Sequence, residues 1–316
     1  MSISLKSKFI GSILGTAIGD ALGMPVEGWS PSKIEEVFGE VREMMTGFLP
    51  EGSYTDDTEM AIGIAETIIE KGRVDPDHLI KVFMHNYDPR RGYGISTTMV
   101  FRLIEKGIPW DEASKSIFNG KGSYGNGAAM RIAPVAVFYY DDFEELKRAV
   151  YDASRVTHMH PLGIEGALIQ ATAIALAVRK DPRKRLDVED FVDNLLLVCE
   201  SDVFREKVKK IGRMLAEGIN DKYVVVKELG NGYESFTSVP SAIYSFLLHW
   251  SSFEDAVVYA VSLGGDADTI GAMTGAISGA YHGVEAIPQR WLEKLENYEY
   301  LKSLGEKLWE LKTKSK

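Results

Sequence analysis

Apolar residues recur at helical spacing almost from the start of the chain. Ile10, Ile13, Leu14, Ala17, Ile18 and Ala21 share one face and predict a helix over 9–22. The same period predicts helices over 53–70, 75–87, 95–106, 110–118, 143–155, 163–178, 188–198, 204–217, 239–248, 253–262, 270–280 and 295–311. Ser30 before Pro31 opens a further short helix ending at Phe38, Asp75 before Pro76 opens another, and Gly72 after Lys71 closes one. Period-two alternation is scarce, and residues 41–48 are the one stretch that reads as a small hairpin. The charged run 179–185, broken by Pro182, reads as a solvated turn, and 312–316 as a frayed basic tail. No linker rich in Pro, Gly or Ser divides the chain, so the pattern predicts an all-α fold with one domain over 1–316.

Two of these helices carry a comb of glycines. Gly11, Gly15 and Gly19 stand four apart in the first, and Gly271, Gly275 and Gly279 in the last but one. Glycine inside a helix costs about 1 kcal/mol relative to alanine, so two combs need a reason. Small residues at this spacing let helix backbones approach closely. Both helices are therefore expected to be central and tightly packed.

Composition is that of an ordinary soluble globular chain, 45% apolar and 26% charged. A net charge of −10 argues against a nucleic-acid-binding surface. The single cysteine, Cys199, follows an apolar run and reads as a buried, inert thiol. Residues 1–6 lack the pattern of a signal peptide, and no eighteen apolar residues occur without polar interruption. A cytoplasmic protein without a membrane partner is expected.

The polar positions change the picture at two helix starts. Thr55, Asp56, Asp57 and Thr58 precede one apolar run; Gly264, Gly265, Asp266, Asp268 and Thr269 precede another. Asp and Thr are ordinary N-cap and first-turn residues, which is one reading. Capping needs one such group, however, and here carboxylates and hydroxyls are doubled at both places. If the two starts meet, four like charges converge, and two divalent cations would neutralise them. All-oxygen donors suit Mg²⁺ or Mn²⁺ and do not suit a zinc site of thiolates and imidazoles. The clusters lie near opposite ends of the chain, so the fold has to bring those ends together.

Three further stretches carry candidate chemistry. The glycine loop 119–127 leads into a helix start and suits an anion such as phosphate, or else is a flexible connector; it lacks the Gly-Lys-Ser/Thr ending of a P-loop. His158 and His160 stand two apart and cannot share a helix face, so a two-histidine metal site is not expected; one histidine as a hydrogen-bonding partner fits better. Glu27 lies between Pro25 and Gly28, on a loop.

These residues together resemble a known family. The stretch from Gly11 through Asp20 to Gly23 with Glu27, then Tyr54-Thr55-Asp56-Asp57-Thr58, then Gly122-Ser123-Tyr124-Gly125-Asn126-Gly127-Ala128-Ala129-Met130-Arg131, then Thr157-His158, then Gly264-Gly265-Asp266-Ala267-Asp268-Thr269-Ile270, are similar to the ADP-ribosylglycohydrolase family in its own order. The resemblance implies an orthogonal helical bundle around a central cleft with two Mg²⁺ or Mn²⁺ ions. It implies Thr55, Asp56, Asp57, Asp266, Asp268 and Thr269 as metal ligands. Glu27, Asp56 and Asp57 become catalytic candidates. Gly122, Ser123, Tyr124, Gly125, Asn126, Gly127 and His158 fall on the ADP-ribose side. The implied partner is ADP-ribose, or a protein or small molecule carrying it, with nucleic acid only as a modified substrate. One departure is that the loop Arg91-Gly92-Tyr93-Gly94 carries no carboxylate, where some arginine-specific members have one. The reaction so implied is hydrolysis of the bond between ADP-ribose and an acceptor. A two-metal nucleotide-diphosphate phosphohydrolase and a non-catalytic ADP-ribose-binding protein stay open beside it.

Overall fold

The computed structural model describes residues 3–314. Among them are eighteen α-helices, three short 3₁₀ turns and no strand; the only β-type pairing is an isolated bridge between Gly125 and Glu234. In order the helices are α1 (Leu5–Gly23), α2 (Pro31–Phe38), α3 (Asp56–Lys71), α4 (Pro76–Asn86), α5 (Ile95–Glu105), α6 (Trp110–Gly120), α7 (Gly127–Met130), α8 (Ala133–Phe138) and α9 (Phe143–Arg155). Then follow α10 (Pro161–Arg179), α11 (Val188–Leu196), α12 (Asp202–Ala216), α13 (Lys222–Leu229), α14 (Ser235–Leu248), α15 (Phe253–Val261), α16 (Ala267–His282), α17 (Gln289–Leu292) and α18 (Tyr298–Lys314).

The two glycine combs face each other. A Cβ on Gly11 would lie 2.5 Å from the Gly279 carbonyl oxygen, one on Gly15 2.1 Å from that of Gly275, and one on Gly19 2.0 Å from that of Gly271. The pairings run in opposite directions along the chain, so α1 and α16 are antiparallel. Every residue from Ser7 to Gly23 is buried, and so is every residue of α16. A helix buried all round needs its polar groups satisfied inside. Ser12 donates to the Ala276 carbonyl at 3.0 Å, and Gln170 of α10 donates to that of Met273 at 2.9 Å. Around this pair α10, α14, α15 and α18 close one continuous hydrophobic cluster.

Several expectations are corrected. Residues 41–48 form no hairpin: Val41 and Met44 are buried three apart, Trp291 donates to the Arg42 carbonyl, and the segment is an irregular cover over the core. α8, α13 and α17 lacked a legible pattern; α13 buries only Val225 and Leu229 and runs through three consecutive valines. α14 starts at Ser235, before Val239, and tolerates Pro240 inside it. The tail is not frayed through Lys314: it is helical, and Lys312 pairs with Asp141 at 2.6 Å. Ser315 and Lys316 lie outside the described residues, as do Met1 and Ser2.

Two helical spans, Leu5–Val26 and Pro161–Arg179, are long and apolar enough by length and composition to cross a membrane, although polar residues interrupt both. Their most apolar windows are 94% and 78% buried by other helices, as core helices are. Cys199 is buried as expected; its thiol donates to the Leu195 carbonyl, and burial pushes its pKa up to about 12.

Candidate active site

The close approach of α1 and α16 sets the site at one end of the pair. Asp20, in the last turn of α1, is fully buried and accepts hydrogen bonds from the Thr55 N–H at 3.0 Å, the Thr58 N–H at 3.1 Å and the Thr58 hydroxyl at 2.6 Å. It therefore fastens the first turn of α3 beside the end of α1 and takes over donors that a helix start leaves unpaired. Thr55 is the N-cap of α3 and accepts from the Asp57 N–H at 3.3 Å. With the cap already made, the carboxylates of Asp56 and Asp57 are not needed for it.

The start of α16 is built differently. Gly264 and Gly265 both have positive φ, 63° and 64°, and a Cβ on Gly265 would lie 2.1 Å from the Asn231 carbonyl oxygen. Only glycine fits there. The turn is stitched to its neighbours: Gly265 N–H donates to Trp29, Gly28 N–H to Gly265, and Asp266 N–H to Asn231. Asp266 occupies the N-cap position, yet its side chain makes no capping bond. It accepts instead from the Asn126 amide, which also donates to Ser238 at 2.9 Å.

Between the two helix starts lies a cavity of about 450 Å³, in the range of small-molecule sites. Glu27, Asp56, Asp57, Asp266, Asp268 and Thr269 line one side; Gly125, Asn126, Gly127, Met130, His158 and Tyr233 line another; residues of the segment 92–97 complete it. Among the described residues no lysine or arginine lines it. Carboxylate oxygens of Glu27, Asp266 and Asp268 lie within 4.8 Å of one another. Thr55, Gly122, Ser123 and Tyr124 are not among the residues that line the cavity. Gly122 backs onto Met159 and His160, and Ser123 accepts from the Gly125 N–H and bonds the Ser96 hydroxyl. Tyr124 is exposed, its ring against His160 and Phe236. The glycine loop has fewer free donors than its composition promises: Gly125 N–H is used by Ser123 and Asn126 N–H by the Tyr233 carbonyl. Asn126 thus orients Asp266 while also lining the cavity.

The electrostatics are those of crowded acids. Burial first, then the charges of Asp20 and Asp266, push the Asp56 carboxyl well above the usual range. Burial and then Asp20, Asp56 and Asp266 do the same to Asp57. Asp268 is raised by burial, Asp266 and Glu27; Asp266 is pushed up to about 7 and Asp20 to about 6, both mainly by burial. Glu27 is raised by burial, opposed by the Tyr233 hydroxyl, which donates to it at 3.2 Å. Asp57 Oδ2 is buried and has no hydrogen-bond partner among the described residues. An orphaned anionic oxygen among four other carboxylates is what a divalent-cation donor set presents, and the all-oxygen chemistry fits Mg²⁺ or Mn²⁺.

Comparison with known proteins follows from this geometry. The family model described as ADP-ribosylglycohydrolase matches residues 1–316. The chain belongs to the ADP-ribosylglycohydrolase family. ADP-ribosylhydrolase ARH3 of Bos taurus is 33% identical, over 98% of this chain and 94% of that protein, and ADP-ribosylhydrolase ARH3 of Homo sapiens gives the same figures. An uncharacterized protein of Archaeoglobus fulgidus is 38% identical, with 97% of each chain covered. A solved ADP-ribosylglycohydrolase-related protein complex superposes with a TM-score of 0.78 at 29% identity, covering 98% of this chain and 99% of that one.

The chain is thus a glycohydrolase enzyme acting on ADP-ribosyl bonds. In this ADP-ribosylglycohydrolase the loop beside the cavity presents Gly92 and Gly94, while Arg91 turns away to Glu59 at 3.1 Å and Glu296 at 2.8 Å. Tyr93 donates to Glu59 at 2.6 Å, so that carboxylate is also committed behind the loop. Sequence reasoning left Asp20, Asn231 and Tyr233 unassigned. Asp20 had a signal, an acid in an otherwise apolar comb helix; Asn231 and Tyr233 had only their glycine-rich neighbourhood at 230–232.

Proposed function

We propose that this glycohydrolase cleaves the bond between C1″ of ADP-ribose and its acceptor with two divalent cations, Mg²⁺ or Mn²⁺, held by Thr55, Asp56, Asp57, Asp266, Asp268 and Thr269. The observation that carries the reading is the buried acidic wall, which among the described residues has no cationic side chain beside it and leaves Asp57 Oδ2 unpartnered. When bound, the ions would offset the carboxylate charge, orient the ribose hydroxyls and acidify an attacking water. Glu27, half-buried at the rim of the same wall, takes the proton from that water. The aspartates stabilise the positive charge of the oxocarbenium-like state as the bond breaks. His158 and Gly127 face the diphosphate, and Asn126 keeps Asp266 in place.

The acceptor is a protein side chain, an acetyl group or a base. An arginine acceptor is disfavoured, because the loop 91–94 offers the cavity no carboxylate to a guanidinium. The test is a panel of ADP-ribosylated arginine, serine, acetate and DNA substrates with and without EDTA. Release of free ADP-ribose that EDTA abolishes is the expected result. AMP as product would assign the site to diphosphate hydrolysis, and tight binding without turnover of every substrate would make it a reader.

A further inference from the structure

Behind the cavity three buried side chains form a hydrogen-bonded line whose inner end sets its direction. Arg131 is 0% exposed; its Nη2 donates to the Ala153 carbonyl at 3.0 Å and to Thr157 Oγ1 at 2.8 Å. Thr157 Oγ1 in turn lies 2.8 Å from His158 Nδ1, and both residues are buried. A guanidinium only donates, so the Thr157 oxygen receives from Arg131 and its own proton must point elsewhere. No other acceptor takes that proton among the described residues, so it goes to His158 Nδ1. An uncharged imidazole that accepts at Nδ1 carries its proton on Nε2.

The other edge of the ring meets the cavity. A Cβ on Gly127 would lie 2.7 Å from His158 Nε2, and one on Gly125 3.5 Å from it, so the ring occupies space that the glycine wall leaves free. His158 lines the cavity, and its Nε2 has no hydrogen-bond partner among the described residues. Burial and the nearby Arg131 charge both hold the ring uncharged.

We propose that Arg131 and Thr157 are positioning residues that hold His158 in the tautomer with its proton on Nε2, so that the ring presents the cavity with a hydrogen-bond donor and never with a lone pair. The proposal rests on ADP-ribose as the ligand, since its diphosphate oxygens are acceptors that such a donor fits. In the other tautomer the Nε2 lone pair would face an anionic oxygen and repel it. The buried Arg131 charge also polarises the line toward the ligand.

Tautomers are read directly from two-bond ¹H–¹⁵N correlation spectra of protein labelled with ¹⁵N-histidine, with His158→Gln identifying the signal. The wild-type ring is expected to show an unprotonated Nδ1 and a protonated Nε2. Thr157→Val keeps the side-chain size and removes the hydroxyl; it should populate the other tautomer and raise the Kd for ADP-ribose, by calorimetry, about tenfold. Thr157→Ser should restore both. A protonated Nδ1 in the wild type overturns the proposal. So does a Thr157→Val protein whose tautomer is unchanged, whatever its affinity, because Thr157 would then act only through packing. If wild-type protein fails to bind ADP-ribose, the functional reading falls, while the spectrum still reports on the tautomer.

Discussion

The glycine interface between α1 and α16 and the acidic wall at its end, which α16 shares with the start of α3, are held together in opposite ways. Along the interface, backbone meets backbone so closely that a Cβ on Gly275 would lie 2.0 Å from the Gly15 carbonyl oxygen. Ser12 of α1 bonds the Ala276 carbonyl across it, and Ser278 Oγ of α16 is left without a partner among the described residues, a neutral group and not a charge. Its backbone packing needs no ligand to close it. At its end Asp56, Asp57, Asp266 and Asp268 are each buried and each pushed above the ordinary carboxylate range by burial and by one another. That wall is incomplete by itself, and it is stable only because the interface behind it is not. A rigid backbone contact can hold a group of like charges that would otherwise drift apart, which is how a site for cations is kept ready.

This contrast can be broken at either region. The largest effect is expected at the interface: Gly275→Val should lower stability by more than about 3 kcal/mol, since a clash with backbone cannot relax by rotamer change. Chemical denaturation checks this, and a folded variant of near wild-type stability would show that the two helices can part. Next comes Glu27→Gln at the rim of the wall. Its kcat should fall by about 10² or more, as for loss of a general base. Its melting temperature should stay near that of the wild type, because rim substitutions move stability by about 0.5 kcal/mol or less. A kcat within a few-fold of wild type would move the base role to one of the aspartates.

Cation binding should act on the wall alone. Mg²⁺ or Mn²⁺ at about a hundred times its Kd should stabilise the protein by about 2.7 kcal/mol, and EDTA should reverse it. A melting curve indifferent to both would mean that the carboxylates hold no ion. The smallest effect has the opposite sign to the usual core substitution. Asp268→Asn should stabilise the metal-free protein on the order of 1 kcal/mol, because a buried like charge is removed. The same variant should lose most of its response to the cation. A fall in metal-free stability would show the wall to be satisfied by its own hydrogen bonds.

Much of this was legible in the residues, but unevenly. The glycine combs announced the central pair because each glycine answers a steric demand repeated every turn, and a repeat is visible along a chain. The helix starts at Thr55 and Asp266 were legible as doubled acids. What they did with those acids was not: Thr55 caps α3, while Asp266 stands at the cap position and leaves the cap unmade. Residues 41–48 misled because Val41 and Met44 bury a turn-like segment under Trp291, a partner 250 positions or so away in a chain read a few residues at a time. Asn126 was legible as a site residue, but that its amide goes to Asp266, another distant residue, was not.

Period and residue type were enough to determine an all-helical chain, two central helices and an oxygen-rich pair of clusters, since each depends on neighbours one turn away. Only the tertiary structure decided that the clusters meet, that Asp20 ties the first of them to the end of α1, and that Arg131 and Thr157 stand behind His158. Those facts depend on distances between residues far apart in sequence. The antiparallel contact of α1 and α16 sets the first two, and no local pattern encodes where such a contact will place the side chains at its end.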